Sequence, residues 1–438
     1  MTPCEDNTIE ASLRELFPED YLREQAEKTH VIQRERKVDI VALFWTLVLG
    51  FGIGKDRKIA DLRRGYIAAT GQWLCRSAFY DRFTKALTVF LRQAVIWAIQ
   101  GVCSTAPALS GPLSVFVDLI LIDATVIRLH ALLKDAYAAC RTNHTKAACK
   151  LHLVYSVLGK SEQKVKLTCE RTRESRVLTI GSWVKDRLLI FDLGYFKYAL
   201  FERISRFGGY FISRLKGLCN PKIIALNVPC RGRARPLVGE KLKDVLKGLK
   251  RQILDVQVEV RFPRRIYRGK RRWVVKQFRV VGVYNTTTGT YHLYITNISP
   301  KRLSAKQIAQ TYEARWLVEL IFKQLKSYYQ IDALPSSKQE IVEALLYTAI
   351  LTMMISRTVQ EVLELQANDA QTQDEAETYF PLLRTAAVIS AWADKLLTAI
   401  LKEVGLPKPA YSLSELIRKE TADPNRSRRL LIQRIQAI

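Results

Sequence analysis

The stretch that most constrains the fold is the run Ser114 to Asp123, SVFVDLILID, which is almost entirely β-branched and aliphatic. A short and continuously apolar run is typical of a central strand that is buried within a sheet. We place Asp123 at the end of this strand, where a ligand could reach its carboxylate. Asp118 lies five positions earlier and therefore on the opposite face, which makes it the weaker candidate.

A second strand that ends in aspartate is predicted at Arg187 to Asp192, RLLIFD. It precedes a segment of helical spacing, and Gly194 would permit a tight exit from the strand. Asp186 is the alternative carboxylate, but it comes before its strand rather than ending it. The other strands of this region are predicted at Leu151–Leu158 and Lys164–Cys169, which would form a hairpin, and at Tyr210–Lys216.

The stretch Ser304 to Tyr329 has the periodicity of one long helix that carries a polar stripe. At about 100° per residue, this stripe is roughly 60° wide and contains Tyr312, Arg315, Glu319 and Lys326. We expect the helix to be largely embedded in protein, because apolar side chains occupy most of its remaining circumference: Trp316, Leu317, Val318, Leu320, Ile321, Phe322 and Leu325. The alternative is a solvated pair of Arg315 and Glu319 that contributes only tenths of a kcal/mol.

The segment YEARWLVELIFKQLK, which contains this stripe, resembles the signature of the insertion-sequence-four group of bacterial DDE transposases. In that signature a tyrosine, an arginine, a glutamate and a lysine are separated by two, three and six residues. The Lys150–His152 step and the turn that begins at Asp192 also resemble the group. The resemblance implies an α/β fold with an RNase H-like core, and the predicted order of strand, hairpin, strand, helix and strand agrees with it.

For the chemistry, the resemblance implies phosphoryl transfer on DNA that depends on two Mg²⁺ or Mn²⁺ ions. Hard oxygen ligands suit these ions better than zinc. Three carboxylates would be both catalytic and metal-binding: Asp123, Asp192 and Glu319. Three side chains of the stripe would contact DNA, two as phosphate ligands and one by packing or hydrogen bonding: Arg315, Lys326 and Tyr312. His152 could face this site or could simply be a core residue.

A basic insertion is predicted at about Gly217 to Thr290, ahead of the glutamate helix. It contains 18 Lys and Arg against 4 Asp and Glu, a net charge of +14 in 74 residues, and its alternating segments indicate strands. Such a surface suits contact with backbone phosphates and stacking on an unpaired base. The DNA-binding candidates here are Arg271, Arg272 and Trp273. The resemblance adds Tyr291, or His292 as its alternative, because relatives with such an insertion stack a flipped base on an aromatic residue just before the last strand. The competing interpretation is that the aromatic rings only hold the sheet together.

The charge of the whole chain favours a polyanionic partner. It has 438 residues, with 69 Lys and Arg against 42 Asp and Glu, and a formal net charge of +27. The resemblance implies that this partner is double-stranded DNA, both transposon terminal repeats and target, bound by a homodimer that pairs two ends. The longest apolar run, Ile40 to Gly54, is shorter than the roughly 20 residues that span a bilayer. Eight cysteines without a CxxC pair, and an N-terminus without an apolar leader, indicate a cytoplasmic protein. The resemblance implies that it is bacterial and associated with the nucleoid.

Four regions are predicted along the chain. Residues 1–110 are helical, with the outline of a DNA-binding helix-turn-helix between Asp56 and Ala94. Residues 111–216 and 291–335 form the catalytic core, residues 217–290 the basic β-rich insertion, and residues 336–438 a helical C-terminal region. The predicted function is cut-and-paste transposition by cleavage at insertion-sequence ends and strand transfer. The alternatives are a non-catalytic DNA-binding protein derived from a transposase, and a nuclease for structured nucleic acids on the same fold.

Overall fold

The chain forms two compact units. One is drawn from residues 1–95 and 328–438, and the other from residues 96–327. The predicted division into four regions stays a prediction. The computed structural model describes residues 9–31, 38–55, 57–104, 109–140, 145–158, 163–228, 237–249, 251–263, 272–334, 336–369 and 380–406.

The N-terminal third is helical, as predicted. Its helices are α1 (Ile9–Leu16), α2 (Glu19–Lys28), α3 (Ile40–Gly50), α4 (Ile59–Thr70), α5 (Arg76–Tyr80) and α6 (Lys85–Ser104). The predicted break after α4 is present, with Gly71 in a left-handed conformation at φ 66°. The second helix of the predicted pair is instead two helices, because the Thr84 hydroxyl group accepts a hydrogen bond from the Leu87 N–H and starts α6 anew.

The second unit is built on one mixed sheet, in which the described residues supply nine strands. The strands are β1 (Leu119–Leu129), β2 (Ala147–Ser156), β3 (Lys164–Cys169), β4 (Leu188–Phe191), β5 (Tyr210–Arg214), β6 (Lys222–Leu226), β7 (Ile253–Pro263), β8 (Trp273–Asn285) and β9 (Thr290–Thr296). Their order is β3-β2-β1-β4-β5-β9-β8-β7-β6. The first five form the RNase H-like core of a mixed α/β fold, which confirms the predicted class. The strands of the predicted insertion continue the same sheet.

The bounds of the first strand differ from the prediction. Residues Gly111–Val115 form a 3-10 turn, and β1 runs on to Leu129. The strand extends further because β2 pairs with it antiparallel along this whole length, up to Leu129 opposite Ala147. The prediction that Asp123 ends its strand is therefore wrong, and Asp123 lies in the middle of β1.

Asp118, the alternative carboxylate, is fully buried directly before β1. Its carboxylate accepts hydrogen bonds from the N–H groups of Leu119 at 2.8 Å and Leu158 at 3.0 Å, and from the Ser156 hydroxyl group. A buried carboxylate with this many donors is held by the fold. Asp118 therefore joins β1 to the end of β2.

The predicted long helix from Ser304 to Tyr329 is divided. After α7 (Tyr198–Arg206) and α8 (Leu242–Leu246), the chain forms α9 (Ala305–Tyr312), a 3-10 turn (Glu313–Arg315) and α10 (Trp316–Ser327). The start of α9 is a capping box, in which the Ser304 side chain accepts from the Gln307 N–H and the Gln307 side chain accepts from the Ser304 N–H. The polar stripe therefore spans a change in helix type.

One face of α10 is exposed, contrary to the prediction of an embedded helix. Val318, Ile321, Phe322 and Leu325 are buried, and α10 packs on β1. The other apolar side chains keep large exposed fractions of 60%, 49% and 47%, for Trp316, Leu317 and Leu320 respectively. The reason is that α10 is covered by the sheet on one side only, and periodicity in the sequence does not specify a second cover.

The remaining described helices are α11 (Gln339–Asp369) and α12 (Leu382–Lys402), which belong to the first unit. Among the described helices, the stretch Gln339–Gln366 of α11 is long and apolar enough to cross a membrane by length and composition. Its most apolar window is 83% buried in protein. The hydroxyl group of Thr352 donates to the carbonyl of Val48 at 2.7 Å, so α11 packs on α3 as a core helix.

Candidate active site

Two of the three predicted carboxylates, those of Asp123 and Asp192, lie at matching positions of adjacent chain segments, where β4 ends. In the parallel pair of β1 and β4, Ile122 lies opposite Phe191. The next residues of the two segments are Asp123 and Asp192. Strand β1 continues beyond this point, paired with β2, whereas the chain after β4 leaves the sheet in the 3-10 turn Leu193–Tyr195. Asp123 is therefore adjacent to the open end of β4, although it lies within its own strand.

Charged groups surround the Asp123 carboxylate, and the residue is only 8% exposed. Burial is the main cause that raises the pKa of Asp123 to about 7. The N–H of Ala124, which donates to Oδ1 at 2.7 Å, and the Arg315 guanidinium act against this rise, whereas Asp192 and Glu319 add to it. The three carboxylates therefore lie close enough to affect one another.

Arg315 connects the helical part of the site to the sheet. Its Nη1 lies 3.6 Å from Asp123 Oδ2 and donates to the Glu319 carboxylate one helical turn away. The guanidinium also lies over the rings of Tyr312 and Trp316, at 5.6 Å and 5.8 Å from their centroids. A cation is thus held between two of the carboxylates and against two aromatic rings.

Tyr312 is buried below this cation. Its hydroxyl group donates to the carbonyl of Phe191 at 3.3 Å, directly before Asp192. Burial raises the pKa of Tyr312 to about 12, so its hydroxyl group keeps its proton. The ring also packs against Tyr294 of β9, with 5.2 Å between centroids. Tyr294 lies opposite Arg214 of β5, which places a further cation on this side of the sheet.

Sequence reasoning did not single out Arg214 and Tyr294 as parts of the site. Arg214 lies in the strand predicted at Tyr210–Lys216 and Tyr294 lies in β9, and both share the sheet face of Asp123. A search for polar or aromatic residues at matching positions of adjacent strands would have found them, provided that the pairing of β5 with β9 was known. That pairing joins residues about 80 positions apart in the chain.

Glu319 and Lys326 occupy opposite ends of α10. Glu319 lies in the first turn, with its side chain 34% exposed, and Lys326 lies in the last turn. Seven residues of α-helix separate them by about 10 Å along the axis. Lys326 is therefore on the same helix as the carboxylate but outside the carboxylate cluster.

The predicted DNA contacts of the insertion lie apart from this cluster. Trp273 begins β8 and is 50% exposed, with the Arg261 guanidinium 5.0 Å from its ring centroid. Arg272 precedes it and is exposed. Arg271 lies outside the described residues. The side of the sheet that carries Trp273 is the side on which Asp123 lies, as the alternation along the paired strands shows.

Tyr291 and His292 point to opposite faces of the sheet because they are consecutive residues of β9. Tyr291 lies on the face opposite the Asp123 carboxylate, and its hydroxyl group donates to the carbonyl of Arg251. His292 lies on the face that Asp123 shares. Of the two alternatives for stacking on a base, only His292 is therefore on the side of the carboxylate cluster.

The donor set of the cluster fits a hard divalent cation, because Asp123, Asp192 and Glu319 supply only carboxylate oxygens. Among the residues that the structure describes, no group of three or more His, Cys, Asp or Glu side chains has the arrangement of a metal site. Arg315 provides positive charge next to Asp123 and Glu319 instead. The three carboxylates that would hold a cation are thus present, and the Arg315 guanidinium lies between those of Asp123 and Glu319.

Comparison with known proteins gives a consistent result. Residues 117–355, more than half of the chain, match the family described as "Transposase DDE domain". The transposase for insertion sequence element IS1151 of Clostridium perfringens is 22% identical over 95% of this chain and 98% of its own length. The transposase for insertion sequence element IS231B of Bacillus thuringiensis subsp. berliner is 22% identical over 78% of this chain and 77% of its own length.

Proposed function

Since this chain belongs to the transposase DDE domain family, we propose that Asp123, Asp192 and Glu319 are the catalytic carboxylates of a DNA transposase. The family also implies dependence on divalent metal ions in general. The observation that carries the proposal is the convergence at the end of β4. Strand register makes Asp123 and Asp192 neighbours, and Arg315 joins Glu319 of α10 to the same cluster.

We propose that the three carboxylates hold two Mg²⁺ or Mn²⁺ ions. When bound, two such ions activate a water molecule or a 3′-hydroxyl group and stabilise the leaving oxygen during cleavage and strand transfer. Asp123 must be deprotonated to bind a cation, and with a pKa of about 7 it is only partly so at neutral pH. Metal binding should therefore release a proton from Asp123.

Arg315 is proposed to hold a DNA phosphate beside the carboxylates. Its Nη1 is used by Glu319, whereas its Nε is buried and has no hydrogen-bond partner among the described residues. A buried donor without a partner is costly, and a phosphate oxygen would satisfy it. Tyr312 would act on DNA through Arg315, since its hydroxyl group is used within the protein and its ring lies against the guanidinium. Lys326 would contact a phosphate further along the strand.

The other proposed DNA contacts are on the insertion. Trp273 is supported by its exposure on the side of the sheet that carries Asp123, and Arg272 is supported by its exposure alone. Arg271 is proposed from the sequence alone. Tyr291 is the least supported of the four, because its hydroxyl group is used by the backbone on the other face. We also propose a homodimer that pairs two insertion-sequence ends at the bacterial nucleoid. The net charge of +27 supports contact with DNA, and the bacterial relatives support the bacterial setting.

The test is Mg²⁺-dependent nicking and joining of a labelled duplex that carries the element's end. We expect Glu319→Gln to abolish strand transfer while end binding persists, because the amide keeps the shape of the side chain but loses a metal ligand. Glu313→Gln is the matched control, since Glu313 is an exposed glutamate in the turn before α10. It should retain activity. Tight end binding without cleavage by the wild-type protein would favour the non-catalytic DNA-binding alternative.

A further inference from the structure

Two side chains of β2 lie beneath the candidate active site. Asp123 is opposite Leu153 in the antiparallel pair of β1 and β2, so these two side chains share a face of the sheet. Lys150 and His152 alternate with Leu153 and lie on the other face. His152, which is only 3% exposed, therefore does not face the Asp123 carboxylate.

Both ring nitrogens of His152 have a hydroxyl partner. Nδ1 lies 3.2 Å from the hydroxyl group of Tyr195, and Nε2 lies 2.8 Å from that of Thr168. The Tyr195 hydroxyl group is also 3.5 Å from the carbonyl oxygen of Asp123. Burial, with a smaller effect of two nearby lysines, lowers the pKa of His152 to about 4. The ring is thus neutral, with one nitrogen as donor and the other as acceptor.

Lys150 is linked to the turn that contains Tyr195 through the Glu174 carboxylate. Its Nζ lies 3.2 Å from Oε1 of Glu174 and donates to the carbonyl of Thr172 at 3.3 Å. Glu174 in turn lies against Gly194, where a Cβ atom would come within 1.5 Å of Oε2. A side chain at position 194 would therefore displace the end of the Glu174 side chain.

The turn that receives these contacts begins at a proposed catalytic residue. It runs from Asp192 to Tyr195, and it closes through the N–H of Tyr195, which donates to the carbonyl of Asp192 at 3.1 Å. Strands β2 and β4 lie on either side of β1 and do not pair with each other. Backbone hydrogen bonds therefore cannot connect β2 to the turn after β4. Side chains that pass below β1 make this connection.

We propose that Lys150 and His152 are positioning residues that hold the Asp192–Tyr195 turn, and so keep the Asp192 carboxylate beside Asp123. This rests on the proposed catalytic role of both aspartates. His152 holds the turn through the Tyr195 hydroxyl group. Lys150 holds it through Glu174, whose carboxylate lies against Gly194. Outer partners of this kind orient metal ligands without touching the metal, and their loss lowers metal affinity by about 10- to 100-fold.

The test measures how end cleavage depends on Mn²⁺ concentration in Tyr195→Phe and His152→Leu. We expect the half-saturating Mn²⁺ concentration to rise about tenfold in each, with activity restored at high Mn²⁺. The double variant should be no worse than either single variant, because both remove the same contact. His152→Gln should recover part of the loss, since an amide can both donate and accept. Lys150→Met should shift the Mn²⁺ dependence in the same direction.

Tyr329→Phe is the matched control. It also removes a buried hydroxyl group, which donates to the Ser356 hydroxyl group at 2.9 Å in the other unit. Its melting temperature should fall as that of Tyr195→Phe does, while its Mn²⁺ dependence stays that of the wild type. Electron paramagnetic resonance of Mn²⁺ bound to the protein without DNA gives a second readout, with Asp192→Asn as the reference for loss of the site.

The outcomes separate this inference from the proposed function. If Tyr195→Phe and His152→Leu lose thermal stability but keep the wild-type Mn²⁺ dependence, the positioning role is wrong, although the inactivity of Glu319→Gln would still support the transposase chemistry. If the wild-type protein binds Mn²⁺ but does not cut ends, the proposed function fails, and the resonance titration still decides the positioning role. If Asp192→Asn does not change Mn²⁺ binding, both are overturned.

Discussion

At the scale of single residues, Arg315 determines how charge is balanced in the carboxylate cluster. Its guanidinium lies 3.6 Å from Asp123 and pairs with Glu319, at the oxygens that a divalent cation would need. Its charge opposes the rise in the pKa of Asp123 and would also repel a metal ion. If the proposed function holds, arginine and metal would compete for the same oxygens until DNA offered Arg315 a phosphate.

This competition predicts an effect on metal binding that is separate from catalysis. At pH 8.5, where Asp123 is deprotonated, Arg315→Gln should bind Mn²⁺ about tenfold more tightly in the absence of DNA, because a like charge has been removed. Strand transfer should nevertheless fall, since the phosphate ligand is lost. Calorimetric titration with Mn²⁺ measures the first effect and the joining assay the second.

Lys323→Gln is the control for this prediction. Lys323 is an exposed cation on α10, and removing it changes the net charge of the protein equally. Its Mn²⁺ affinity should stay close to that of the wild type. Weaker Mn²⁺ binding by Arg315→Gln would show that the guanidinium organises the carboxylates and does not compete with the metal.

At the scale of elements, a buried ion pair joins the insertion strands to the start of α9. Arg279 of β8 and Asp255 of β7 are 2% and 4% exposed, and two parallel hydrogen bonds of 2.8 Å and 2.6 Å connect them. The Nη1 of Arg279 donates to the carbonyls of Ile298 and Leu303. Leu303 directly precedes Ser304, the N-cap of α9. The insertion therefore supports the segment from which the helical part of the site begins.

Breaking this pair should destabilise the sheet strongly. Arg279→Ala leaves the Asp255 carboxylate buried without its cation, and we expect a loss of about 3–5 kcal/mol. Hydrogen exchange of peptides from β7 and β8, measured by mass spectrometry, reports on this unit separately from the other. Lys276→Ala on the exposed part of β8 is the control and should change exchange little. Unchanged protection in Arg279→Ala would contradict the assignment of the pair as a structural anchor.

At the scale of the whole molecule, each unit has its own core and the positive charge is unevenly distributed. The first unit is centred on α3 and α11, and the guanidinium of Arg57 joins its two chain segments by donating to the carbonyls of Tyr328 and Tyr329. The second unit contains the sheet, the carboxylate cluster and the predicted insertion. The insertion carries +14 of the formal net charge of +27. Phosphate contacts in the second unit should therefore dominate the salt dependence of DNA binding.

Salt dependence tests the proposed phosphate contact of Lys326. The logarithm of the binding constant for end DNA should fall linearly with the logarithm of salt concentration, and Lys326→Ala should reduce the slope by about 1. Lys28→Ala is the control, because Lys28 is an exposed lysine of α2 that pairs with Glu24. Equal changes of slope in both variants would mean that overall charge, and not a specific contact at Lys326, governs binding.

Local patterns in the chain predict several elements of the fold, whereas the residues of the cluster were assigned with the help of the resemblance to the insertion-sequence-four group. The strands β3, β4 and β5 lie where alternation and apolar runs predict them, because those patterns report the backbone conformation of consecutive residues. Strand β2 begins four residues before the predicted Leu151 and ends two residues before Leu158. The spacing of Tyr312, Arg315 and Glu319 likewise predicts that they share a side of a helix. The structure groups these residues as expected, although the helix changes type at residues 313–315.

The relations between distant segments depend on the tertiary structure. The register of β1 against β4 places Asp123 beside Asp192, whereas the sequence alone suggested that Asp123 ends its strand. Which elements pack together also decides that Trp316 is exposed, that His152 contacts Tyr195 below β1 and that Arg279 is buried. Periodicity in the sequence is sufficient to predict which side chains share a strand face or a helix stripe, because it is a local property of the backbone. Burial and strand register arise from contacts between residues far apart in the chain, and local periodicity carries no information about those contacts.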